Sequence, residues 1–177
     1  NYQARKSVLE YDDVMNTQRK IIYEQRRQVL DGEDLQKSIA SMMQYYVESY
    51  VTNAFAGQPH LEDRQAFFSL MSHFENICFP KGAWIATDEE LQTMDAAQMT
   101  DRISDMLRKS YEKKEAQYGS PVMRELERVI TLRVVDEYWM DHIDAMDDLR
   151  QGIRLRAYAQ TDPVIEYKRE GFDMFEA

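Results

Sequence analysis

The sequence predicts an all-α fold: long scaffold helices, a small helical module inserted between them, and an antiparallel two-helix finger. Three observations predict it. Glycine and proline are scarce, at 6 and 4 of 177 residues, against 11 Met and abundant Glu, Gln, Arg and Leu, a mixture that favours helix. Apolar residues recur at i, i+3, i+4 spacing along most of the chain, and no stretch alternates with the period of a strand. Helix stop and start signals such as Asp31-Gly32, Gly57 with Pro59, Ser120-Pro121 and Asp162-Pro163 punctuate those stretches.

The first helix covers about residues 6–30 and stops at Gly32, a residue that accepts the left-handed conformation of a helix end. Val8, Met15, Ile22 and Val29 recur every seven residues, with Tyr11, Gln18 and Gln25 as polar insertions in the seam. So thin a stripe supports a long helix only with help from neighbours, one partner or several domains. Residues 33–55 form a stronger amphipathic helix, with Leu35, Ile39, Met42, Met43, Tyr46, Val47, Tyr50 and Val51 at core spacing. A third helix over about 62–77 turns Phe67, Leu70, Met71 and Phe74 inward, and Trp84-Ile85 plugs a small core.

Thr87-Asp88-Glu89-Glu90 has the form of a capping box, and Asp95-Ala96-Ala97-Gln98 is a looser version of it. The second opens a helix carrying Met99, Ile103, Met106, Leu107 and Tyr111, which ends at Gly119. Ser120 and Pro121 read as N-cap and first residue of the longest helix, which runs to about Leu155. Between Val129 and Trp139 it is apolar on more than one side, so several helices are expected to enclose it. Its apolar face then narrows to Trp139, Ile143, Met146, Leu149 and Ile153. A polar turn at about 158–162 follows, and Asp162 caps a last helix that Pro163 begins. The division is therefore 1–32, first scaffold helix; 33–118, inserted module; 119–177, returning helix and finger with its tip at about 155–163.

A net charge of −10 argues against a nucleic-acid groove, where clustered Lys and Arg would dominate. The single cysteine, Cys78, excludes an internal disulfide and fits a reducing compartment. No apolar run approaches a membrane span and no signal-peptide core is present, so the chain reads as soluble. Asn1 leads at once into helical pattern and Ala177 follows Phe172, Met174 and Phe175 without a cap, which reads as a piece of something longer.

Sites of chemistry are few. Asp136, Glu137, Asp141, His142, Asp144, Asp147 and Asp148 crowd one helix, but a carboxylate-bridged metal site in a bundle needs Glu-x-x-His pairs on two helices, and none occurs. Glu137, Asp141, Asp144 and Asp148 form an outward row with Arg133, Lys168 and Arg169 available as partners, a solvated or salt-bridged face. Cys78 lies between Ile77 and Phe79, the setting of an inert buried thiol, and no phosphate-cradling glycine loop exists. No catalytic, cofactor or metal residue is assigned. Tyr158 differs: the turn does not need an aromatic, so it is either folded back on its helices or a contact residue.

Two motifs carry a resemblance. One is Trp139-x-x-His142, then Met146-Asp147-x-Leu149-Arg150-Gln151-Gly152-Ile153-x-Leu155-Arg156-x-Tyr158-Ala159-Gln160-x-Asp162-Pro163, then Glu166-Tyr167-Lys168-Arg169-Glu170-x-Phe172-x-Met174-Phe175. The other is Tyr11-Asp12-Asp13-Val14-x-Asn16-x-Gln18-Arg19. Together they resemble the SecA preprotein translocase motor family. The resemblance covers the whole chain, with the middle segment matching in helix order.

It implies a helical scaffold, a helical wing and a two-helix finger truncated in its second helix. The finger tip, with Tyr158 and its neighbours Arg156, Ala157, Gln160, Thr161 and Asp162, would contact an unfolded preprotein and a SecY-type channel. Tyr11, Asp12, Asp13, Asn16, Gln18 and Arg19 would contact the motor domains, and Trp139, His142, Met146, Leu149 and Ile153 would pack the finger. ATP and magnesium would belong to upstream ATPase domains, with no cofactor in this stretch. The location implied is cytoplasmic, peripheral on the cytoplasmic face of the cell membrane. Thr161 stands where many members carry Lys or another polar residue, and Ala157 where Gly is common. Uncovered apolar faces of the first helix would favour self-association. The readings from other classes are a free-standing helical adaptor, binding a partner helix through the first-helix seam, and a carboxylate metal enzyme.

Overall fold

The computed structural model describes residues 1–31, 35–156 (side chains through 153) and 162–177. Every regular element among them is helical: α1 (Tyr2–Asp31), α2 (Leu35–Phe55), α3 (Arg64–Ile77), α4 (Asp88–Thr93), α5 (Ala96–Tyr118), α6 (Ser120–Arg156) and α7 (Pro163–Glu176). The all-α expectation holds. No helix among the described residues is long and apolar enough to cross a membrane. The chain forms two compact units, Asn1–Glu33 with Leu126–Ala177, and Asp34–Glu125.

The second unit has an ordinary apolar core. Val47, Val51 and Phe55 of α2 meet Phe67, Leu70, Met71 and Phe74 of α3, with Leu91, Met99 and Ile103 closing the far side. Trp84 plugs this core edge-on to Phe67, their ring centres 5.1 Å apart, but Ile85 faces solvent. Neighbouring residues of an extended segment point to opposite sides, so only one of the pair can enter. Met42 is likewise exposed, contrary to its expected core position. It lies five residues before Val47, about 140° around a helix that turns about 100° per residue, whereas half-buried Met43 lies nearer the buried face.

Local side chains set the helix starts. Asp63 accepts from the Gln65 backbone N–H at 2.9 Å, which starts α3 at Arg64 rather than near Glu62. Thr87 and Glu90 close a full capping box, and so do Asp95 and Gln98, whose two bonds measure 2.8 and 3.0 Å. The expected Ser120 cap is displaced by one residue. Gly119, at φ 88°, ends α5 by donating to Glu115 O, and its carbonyl accepts from Met123 N–H to open α6. A left-handed φ at that joint favours glycine.

In the first unit, α1, α6 and α7 pack side by side. Contacts from α1 to α6 run in opposite chain directions: Tyr11 to Arg150, Gln18 to His142, Arg26 to Asp136. Contacts from α1 to α7 run in the same direction, Tyr11 to Tyr167 and Gln18 to Gly171. The seam of α1 differs from the expected one. Tyr11 and Gln18 are buried, Val14, Met15 and Ile22 flank them, and Val8 is exposed. Tyr11, Met15, Gln18 and Ile22 obey i, i+3, i+4 spacing, which places the polar insertions at its centre. The expected enclosure of 129–139 is also corrected. Val129, Ile130, Val134 and Tyr138 are exposed, because no described element covers that side of α6.

The second capping box gives a direct check. Replacing Asp95→Ala should lower the stability of the chain by about 1 kcal/mol, read as an earlier urea midpoint, while Asp95→Asn should retain most of it.

Candidate functional site

The densest set of specific interactions in the first unit lies where α1, α6 and α7 meet. Its apolar base is Met146, Ile153, Val164 and Tyr167 with Tyr11, and Leu149 and Met174 pack against it. Asp162 holds the start of α7 by accepting from Val164 N–H at 3.0 Å, with Pro163 at the first position. Gly171 lies in mid-helix, where glycine ordinarily costs stability. A Cβ there would stand 2.5 Å from Met146 Cε, so the missing side chain admits the tip of a buried methionine.

Above that base sits a polar and aromatic layer. The Tyr11 ring meets Tyr167 edge-on with centres 4.8 Å apart, and the Arg150 guanidinium lies 4.6 Å over the Tyr11 ring. A cation over a tyrosine face is attracted by the ring quadrupole. Arg150 also reaches Asp12 at 4.0 Å, the loose end of an ion pair. Burial pushes the Tyr167 hydroxyl above its usual pKa, with Arg150 opposing. About two turns further along α1, Gln18 is only 6% exposed. Its Oε1 accepts from His142 Nε2 at 2.7 Å, and its Nε2 donates to Gly171 O at 3.4 Å. His142 lies near two rings, with centres at 5.7 Å for Trp139 and 5.4 Å for Phe175. Burial lowers its pKa, which favours the neutral imidazole. Beyond it, Arg26 forks onto Asp136 with N···O distances of 2.7 and 3.0 Å.

The whole chain, residues 1–177, matches the family described as the SecA wing and scaffold domain. The chain belongs to that family. It is 48% identical over 176 residues to the protein translocase subunit SecA of Acetivibrio thermocellus, covering 99% of this chain and 19% of that protein. The SecA 1 subunit of Clostridioides difficile is also 48% identical, with the same coverage, and the subunit of Pelotomaculum thermopropionicum is 46% identical, with 20% covered. The chain thus spans about a fifth of the length of these relatives.

Against the SecA motifs, the structure brings together Met146 and Ile153 as buried residues and Trp139, His142 and Leu149 as half-buried ones. Tyr11 and Gln18 do not face outward as contacts for further domains; α6 and α7 take them up. Asp12, Asp13, Asn16 and Arg19 remain exposed. Of the tip residues, 157–161, including Ala157, Tyr158, Gln160 and Thr161, lie outside the described residues, as does the Arg156 side chain; Asp162 serves as the cap of α7.

Within the acidic row, Glu137 pairs with Arg133 at 3.2 Å, whereas Arg169, the expected partner, turns to Glu166 at 2.8 Å on its own helix. Among the described residues, no group of three or more His, Cys, Asp or Glu could hold a metal ion. Half-buried Cys78 has its thiol pKa raised by burial, which disfavours the thiolate. Sequence reasoning missed the Gln18–His142 bond and the Arg150–Tyr11 stack. The available signals were a glutamine inside an apolar seam and a glycine inside a helical pattern.

Two measurements follow from this geometry. Because folding lowers the His142 pKa, its contribution to stability is fully present above the ordinary value of about 6.5 and is lost as pH falls through the lowered one. The loss of stability from pH 7 to 5 should therefore be smaller in His142→Gln than in the parent, by urea unfolding at each pH. At Gly171, alanine gains helix propensity and displaces only the end of Met146, so the net change should stay within about 1 kcal/mol. Leucine overfills the site, and Gly171→Leu should cost about 1–3 kcal/mol in the same assay.

Proposed function

We propose that this chain is a non-catalytic mechanical part of an ATP-driven protein translocase that moves preproteins through a SecY-type channel. Family membership supports the setting, and the relatives carry the name of translocase subunits. The observation that carries the reading is the docking of α7 and the end of α6 on α1 through Tyr11, Gln18, Arg150 and Tyr167. It ties a pair of helices to a helix of 30 residues, about 45 Å long at 1.5 Å per residue, so that displacement of one is resisted by the other.

In this reading residues 33–118 are the helical wing and the α6–α7 pair is a two-helix finger. Tyr158 and its neighbours Arg156, Ala157, Gln160, Thr161 and Asp162 meet the unfolded chain and the channel mouth. The outward residues Asp13, Asn16 and Arg19 of α1, with the exposed apolar side of α6, face ATPase domains that supply the ATP and magnesium chemistry. An apolar side of that extent in Val129, Ile130, Val134 and Tyr138 supports a covering partner. The protein then works in the cytoplasm, peripheral on the cytoplasmic face of the cell membrane.

The test is preprotein transport into membrane vesicles by the complete translocase subunit bearing Tyr158→Ala. Transport should fall several-fold, and Tyr158→Phe should restore most of it if ring contact is the working interaction. Transport at the parent rate with Tyr158→Ala would remove the finger-tip assignment.

A further inference from the structure

The layer joining α1, α6 and α7 contains a directed chain of hydrogen bonds. It begins at Gly171 O, a backbone carbonyl that can only accept. Gln18 approaches it at 3.4 Å and must present its amide N–H. That orientation turns Gln18 Oε1, another acceptor, toward His142 Nε2 at 2.7 Å, so Nε2 must carry a proton. The backbone of α7 therefore dictates the tautomer of an imidazole on α6, through a side chain of α1. Burial of Gln18 excludes the water that would otherwise satisfy either amide orientation. The rings of Trp139 and Phe175 both pack near the imidazole. Gly171 lacks the side chain that would displace the end of buried Met146, which reaches α7 from α6.

We propose that Gln18 is a positioning residue, a polar latch that couples the docking of α7 to the tautomer of His142. With α7 docked, the imidazole is held as the Nε2–H form. With Gly171 O withdrawn, nothing fixes the direction of the amide, and the flipped amide donates to Nε2 of the Nδ1–H form equally well. The latch follows from contacts within this chain; its use to report finger position to the scaffold helix rests on the function proposed above.

The experiment is ring nitrogen-15 NMR of His142 in the full 177-residue chain at pH 8, where the imidazole is neutral, together with amide hydrogen exchange along α7. The parent should show the Nε2–H tautomer alone. Gln18→Leu should give a mixture of tautomers, and α7 amides should exchange about tenfold faster, the scale of one lost buried hydrogen bond. Gln18→Glu separates the two bonds, since a carboxylate still accepts from His142 but cannot donate to Gly171 O. It should keep the Nε2–H form while α7 exchange rises. A mixture or the Nδ1–H form in the parent overturns the latch, whether or not the variants fold. Unchanged α7 exchange in Gln18→Glu overturns it as well. Transport by Tyr158 variants does not enter these readouts, so failure of the functional reading and failure of the latch are told apart.

Discussion

A buried glutamine with two helices as its hydrogen-bond partners is the constraint on which the first unit depends. An amide removed from water must find both a donor and an acceptor, or its burial costs about 1–3 kcal/mol. Gln18 finds them on different elements, the acceptor on α7 and the donor on α6. The bond therefore has a geometric consequence that apolar contact alone lacks. Apolar faces slide over one another at low cost, whereas a glutamine meeting one carbonyl and one imidazole accepts a single register. The short α7, 14 residues long, would be marginal as an isolated helix, and this seam is its support.

The two units are built on different principles. In Asp34–Glu125 the core is a dense set of Phe, Met, Leu and Val closed by Trp84, with helix starts set by side-chain caps. Such a unit needs nothing further to explain its order. The unit formed by Asn1–Glu33 and Leu126–Ala177 has few fully buried apolar residues, and relies on a stack of Arg150, Tyr11 and Tyr167 beside the Gln18 bonds. Its exposed ion pairs, such as Arg133–Glu137 and Arg169–Glu166, lie in the range where such pairs contribute about 0–1 kcal/mol. Specific directional contacts in place of bulk burial suit an element that transmits position.

Much of this was legible in the sequence. The capping boxes at Thr87 and Asp95, the Asp162-Pro163 start of α7 and the Met146–Ile153 face are local or periodic, and both kinds of signal survive folding unchanged. What sequence misjudged was coverage. Periodicity says which residues share a face and not whether anything lies on it, so Val129, Ile130, Val134 and Tyr138, expected inside, are exposed. The α1 seam failed for a related reason. Val8, Met15, Ile22 and Val29 repeat on a period of seven, but Tyr11 and Gln18 lie close enough around the helix to compete as its centre. Aromatic stacking and two amide bonds on other helices settle the competition, and neither can be seen from α1 alone. The polar turn and its Tyr158 were legible from the residues, with a contact role sharpened by the resemblance to SecA, and 157–161 lie outside the described residues.

The docking of α7 on α1 and α6 is the centre of this account, and proton–proton NOE spectroscopy on the folded chain tests it most directly. Ring protons of Tyr11 should show cross-peaks to those of Tyr167, and His142 to Phe175, as their centre distances of 4.8 and 5.4 Å require. A folded chain in which the aromatic contacts of the second unit, such as Phe67 with Trp84 at 5.1 Å, are present but both α7 contacts are missing would contradict it.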